Sequence, residues 1–160
     1  MSEKTFTPSE VANLLGLSTE AQRVRRKRAN TIYFGTKGDN GKWTFSRRDL
    51  IGIWVAEHLQ DLLENVFEAE RAGNWCAGEV AKQLGIMSMS FEVLPRDVIG
   101  PNQTVPGGGF KYMFFPKGGN PLFSDNPSHF TVLGRTKVLA VNLRDIARGM
   151  PNNLVEVLVD

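Results

Sequence analysis

Cysteine, histidine and long apolar runs are scarce in this 160-residue chain, and each shortage excludes a class of function. The single cysteine, Cys76, cannot close an internal disulfide or build a cysteine-rich zinc site. It reads as a small buried hydrophobe rather than a reactive thiol. The two histidines, His58 and His129, are too few and too isolated for a metal or catalytic cluster. No stretch approaches the roughly 18 apolar residues that a membrane helix needs. The opening Met1-Ser2-Glu3-Lys4-Thr5-Phe6 has no apolar signal core, which makes the cytoplasm the expected compartment. Gly107-Gly108-Gly109 lacks the following Lys-Ser/Thr of a phosphate loop and reads as a plain loop. Asp125 with His129 is too thin a pair to suggest catalysis. Neither an enzyme nor a cofactor is expected.

What is present is a soluble composition with uneven charge. Residues are 41% hydrophobic and 22% charged, enough apolar material for one ordinary domain or two small ones. The net charge is only +2, but residues 1–50 hold ten Lys/Arg against five Asp/Glu. The remainder holds nine against twelve, so the first third is the polyanion-facing part.

Local signals divide that first third. Thr7 or Ser9 can cap a helix beginning near Pro8, since proline is tolerated at a first helical position. Val11, Ala12, Leu14 and Leu15 recur at helical spacing, and Gly16 stops the helix. Ser18 or Thr19 caps a second helix running from Glu20 to about Ala29. Thr31-Ile32-Tyr33-Phe34 is β-prone, Gly35 to Gly41 is a turn, and Lys42-Trp43-Thr44-Phe45 returns as a strand, which together predict a hairpin. Ser46, with Asp49 three residues on, caps a long helix. Its expected stripe is Leu50, Ile53, Trp54, Leu59, Leu62, Leu63, Val66 and Phe67, ending near Gly73.

The second half is richer in glycine and proline. Phe110 to Phe115 and Val138 to Val141 read as strands, Asn142 to Arg148 as a capped helix, and Leu154 to Val159 as a strand. Residues 100–109 and 116–129 read as loops. The expected fold class is α+β: a winged helix-turn-helix with its long helix over 1–73, then a second small α+β domain over 74–160.

A short packing helix, a tight turn and a basic second helix are what insertion into a major groove requires. Arginine can pair bidentately with guanine, and any Lys or Arg can neutralise a phosphate. Nine basic residues fall between positions 23 and 48. The bland reading of Arg23 to Arg28 is a solvated helix face. The turn before it and the basic hairpin after it favour DNA over that reading. Gln22, Arg23, Arg25 and Arg26 are the expected groove-facing residues, with Ser18, Thr19, Lys27 and Arg28 beside them. Lys37, Lys42, Arg47 and Arg48 are expected on phosphates, with Trp43 bracing the wing.

Phe6-Thr7-Pro8-Ser9-Glu10-Val11-Ala12, Leu15-Gly16-Leu17-Ser18, Arg23, Gly41-Lys42-Trp43-Thr44-Phe45-Ser46 and Asp49-Leu50 together resemble the DNA-binding domain of the MerR family. The resemblance covers about residues 5–55. Lys42, Trp43 and Phe45 stand where that family usually has Tyr, Arg and Tyr. It implies a winged helix that binds double-stranded DNA through its second helix and wing, as a homodimer. Phage excisionases and small terminase subunits share the architecture.

Three short matches also occur in the same order in both halves. Glu10 to Ser18 resembles Glu79 to Ser88, Tyr33 to Asn40 resembles Phe114 to Asn120, and Phe45 to Leu50 resembles Val141 to Ile146. They predict a tandem duplication, with chance similarity of turn and cap chemistry as the alternative. The second copy's counterpart of the basic helix, Met89 to Asp97, contains Pro95 and one cation, Arg96, so the second half is expected to dimerise or bind a protein partner. The expected function is a sequence-specific, nucleoid-associated transcriptional regulator, of which a phage or mobile-element control protein is one form. The alternatives are a DNA architectural or packaging factor and a winged-helix protein adaptor.

Overall fold

The computed structural model describes residues 4–29, 31–63, 65–86, 110–116, 120–128 and 138–159. The chain forms two compact units, one of Met1–Ala77 with Pro151–Asp160 and the other of Gly78–Met150. The architecture is mixed α and β, with two small antiparallel sheets. The expectations for Met89 to Asp97 and for residues 100–109 lie outside the described residues.

The first unit opens with β1 (Thr5–Phe6), α1 (Pro8–Leu15) and α2 (Thr19–Arg28). Thr7 caps α1 by accepting the Glu10 N–H at 3.3 Å, while the Glu10 carboxylate accepts the Thr7 N–H at 2.7 Å. These bonds, first from the Thr7 backbone and then from its hydroxyl, hold the Glu10 carboxyl below its ordinary pKa. Gly16 ends α1 at φ +70°, a conformation that glycine adopts without a Cβ penalty. Ser18 then caps α2 through the Ala21 N–H at 3.1 Å.

β2 (Thr36–Lys37) and β3 (Trp43–Ser46) follow, and the sheet order is β1-β3-β2. Phe6 stands opposite Phe45 and Lys37 opposite Trp43. The β-prone run Thr31 to Phe34 is not a strand. Phe34 turns into the core instead, and Gly35 at φ +83° lies directly beneath the Phe45 ring, so pairing with β3 begins only at Thr36.

α3 (Arg47–Leu59) has the expected cap. Ser46 accepts the Asp49 N–H at 3.1 Å, and Asp49 accepts the Ser46 N–H at 2.8 Å. The single long helix is corrected: α3 stops at Leu59, and α4 (Val66–Gln83) starts afresh with Asn65 accepting the Glu68 N–H at 2.9 Å. The break lets a face of small residues, Ala69, Ala72, Gly73, Cys76 and Ala77, become buried. A Cβ added to Gly73 would collide with the Gly52 carbonyl oxygen, so α3 and α4 approach backbone to backbone at that point. Leu62 and Phe67, expected in one apolar stripe, are instead exposed. The final segment is also corrected. Residues 152–159 form α6 (Asn152–Val159), not a strand, with Leu154 and Leu158 buried one turn apart. The partial alternation of Leu154 to Val159 fits a helical stripe equally well, and the segment belongs to the first unit, where it lies near α1.

In the second unit, β4 (Tyr112–Pro116) is central, flanked by β5 (Leu122–Ser124) and β6 (Val138–Asn142). β5 lies in the segment read as a loop. Three residues are too few to show a period, and their strand state comes from pairing with β4. Met113, Phe114 and Phe115 are all buried, so both faces of the central strand are covered. Asn142 caps α5 (Leu143–Arg148) through the Asp145 N–H at 3.2 Å. The order of strand, cap and acidic third position matches that at Ser46 and Asp49, but Asp145 accepts from the Asn142 side-chain amide at 2.8 Å instead of closing a capping box on the backbone. Gly85, at φ +77°, likewise matches Gly16. The sheets differ, because the strand preceding the capped helix is central in the first unit and an edge in the second.

Candidate nucleic-acid interface

The basic helix α2 has two unlike faces. On the outer one, Glu20, Arg23 and Lys27 follow at spacings of three and four and are exposed, with Thr19 beside them. Arg23 pairs with Glu20 at 2.6 Å, and this hydrogen bond raises the guanidinium pKa. The side chains are 53% and 63% exposed. Such a solvent-exposed pair adds little to stability, since water screens it and both side chains stay mobile.

The inner face corrects two of the groove-facing assignments. Gln22 is 3% exposed. Its amide donates to the Pro8 carbonyl at 2.9 Å and the Leu17 carbonyl at 2.8 Å, joining the start of α1 to the turn before α2. It cannot read a base. Arg25 is also turned inward, its side chain 19% exposed. It donates to Glu57 at 2.5 Å and Gln60 at 3.3 Å, with Glu70 at 3.9 Å. Desolvation, partly offset by Arg25, raises the Glu70 pKa. The sequence gives no sign of this cluster, because Glu57 lies 32 positions from Arg25.

Arg26 joins α2 to the hairpin. Its guanidinium sits 4.6 Å from the Trp43 ring centre and 5.9 Å from that of Phe45. Cation–π attraction and apolar contact hold it there, and burial lowers its pKa. Trp43 therefore braces the hairpin against α2. Lys37 and Lys42 are exposed on that hairpin, near a turn closed by Gly38 N–H to the Lys42 carbonyl at 2.9 Å. Arg47 and Arg48, at the start of α3, are half-buried. Arg48 donates to the Asn74 carbonyl at 3.3 Å, which commits part of its guanidinium to α4. Ser18 is committed to its cap, while Arg28 is exposed on the side of α2 that faces away from Arg26. The Arg26–Trp43 contact thus joins α2, with its exposed Thr19, Arg23 and Lys27, to the hairpin that carries exposed Lys37 and Lys42, while Gln22 and Arg25 turn inward and Ser18 and Arg48 are committed elsewhere.

Replacing Gln22 with alanine should destabilise the protein by about 1–2 kcal/mol, since it removes both hydrogen bonds by which the amide ties the start of α1 to the turn before α2. Chemical denaturation checks this. A loss below about 0.5 kcal/mol would mean that the amide does not hold the turn.

Among the described residues there is no group of three His, Cys, Asp or Glu able to hold a metal, and no helix long and apolar enough to cross a membrane. Compared with family models, curated proteins and solved structures, the chain matches none.

Proposed function

We propose that residues 5–59 act as a winged helix that binds duplex DNA, and that the protein is a sequence-specific DNA-binding regulator. The observation carrying this reading is the Arg26–Trp43 stack at 4.6 Å. It fixes the exposed basic ridge of α2 beside a hairpin that carries its own exposed lysines. In this reading Arg23 and Lys27, with Thr19, approach base edges, while Lys37 and Lys42 neutralise phosphates. The acidic partner of Arg23 is supplied by the same helix, so the ridge can exchange it without moving another element.

The test is a fluorescence-anisotropy titration of a random duplex over a range of salt. The double variant Lys37→Ala with Lys42→Ala should reduce the salt slope by about two units. Replacing Arg23 and Lys27 together with alanine should also weaken binding and relax the sequences recovered from a random pool. Unchanged affinity at fixed salt in both double variants would overturn the reading.

A further inference from the structure

The inner side of α2 holds acceptors that lack donors. The Glu70 side chain is 12% exposed; among the described residues it receives no hydrogen bond, and its nearest cation is Arg25 at 3.9 Å. Gln22 Oε1 is fully buried without a partner. A small hollow lined by Gln22 and Glu70, about 30 Å³, has room for about two waters at roughly 10–15 Å³ each.

Glu70 also lines a second cleft of about 210 Å³ between α2 and the start of α4. Its apolar walls are Val24 and Ala29 from α2, and Val66 and Phe67 from α4. Phe67 is 36% exposed, and its ring is steadied by Tyr33 at 5.6 Å between centres. A dry apolar cavity of about 150 Å³ already suffices for benzene, so this space suits a single aromatic ring. Arg25 and Arg28 line the same cleft and disfavour a cation, while Glu70 disfavours an anion. A neutral ring bearing one O–H or N–H satisfies all of these constraints.

We propose that the cleft between α2 and α4 binds a small neutral aromatic molecule that donates a hydrogen bond to Glu70. The ring lies against Phe67 and Val24, and the donor replaces the water that otherwise solvates the carboxylate. Because Val24, Arg25, Arg28 and Ala29 all belong to α2 or its cap, occupancy bears directly on the position of that helix.

Phenol and toluene are the probes, titrated separately into the full chain and followed by amide chemical shifts. Phenol should bind saturably, moving the resonances of Val24, Arg28 and Phe67, and about tenfold more tightly than toluene. Glu70→Leu should abolish that preference, Glu70→Gln should retain it through the amide oxygen, and Val24→Phe should fill the cleft and prevent both from binding. Thermal melting confirms that each variant is folded before it is compared. Equal affinity for the two probes, no saturable binding, or phenol binding that survives Val24→Phe would each overturn the proposal. The titration contains no DNA, so its failure is separate from a failure of the DNA-binding reading.

Discussion

Replacing Gly73 with alanine is expected to destabilise the first unit by about 3 kcal/mol or more. The added Cβ would overlap the Gly52 carbonyl oxygen and lie 3.0 Å from the Ala56 backbone nitrogen. Both atoms belong to the backbone of α3, so relief requires α3 and α4 to separate and unpack the small-residue face around Ala72 and Cys76. Gly52→Ala offers a graded comparison. Its Cβ would run into the Phe34 ring, and a side chain can move where a backbone cannot. Gly52→Ala should therefore be less damaging than Gly73→Ala. Denaturant unfolding of both variants checks the order. A Gly73→Ala protein as stable as the parent would show that the close approach of the two helices is absent in solution.

The second large effect concerns Arg25. Arg25→Ala should cost about 1.5–3 kcal/mol at neutral pH, because it removes the charged hydrogen bond to Glu57 and leaves Glu70 without its nearby cation. The variant should recover part of that loss in acid, where Glu70, its pKa already raised by burial, becomes neutral. Glu70 gives the parent protein a pH dependence of its own. Its folded pKa is raised above 4.5, so the folded state holds the proton more tightly than the unfolded chain. That contribution is fully present below pH 4.5 and is lost as the pH rises through the folded pKa. Glu70→Gln, which cannot ionise, should remove this component. Its stability relative to the parent should therefore increase as the pH rises from 4.5 towards neutrality. A constant difference between the two proteins across that window would show that Glu70 does not titrate abnormally. Neither substitution touches the outer ridge of α2, so any change in DNA affinity would report a movement of the helix rather than a lost contact.

The legible parts of the fold share one property: their partners are close in the chain. Thr7 with Glu10, and Ser46 with Asp49, close capping boxes across three residues. Gly16 marks a left-handed stop beside the helix it ends. The exposed face of the basic helix is equally readable, since Arg23 and Lys27 need only remain in solvent. The β-prone run Thr31 to Phe34 misleads because propensity records what a segment tolerates, and here burial of Phe34 competes with pairing. Residues 154–159 mislead because a short run of Leu and Val supports both periods.

Sequence alone determined the caps, the turn between α1 and α2, and the concentration of positive charge in the first fifty residues, all of them consequences of bonds and spacings within a few positions. Tertiary structure alone decided that Gln22 and Arg25 turn inward, that α3 and α4 are separate helices meeting at Gly52 and Gly73, and that Glu70 lines a cleft. Those outcomes depend on groups brought together from distant positions, where packing and desolvation outweigh local preference.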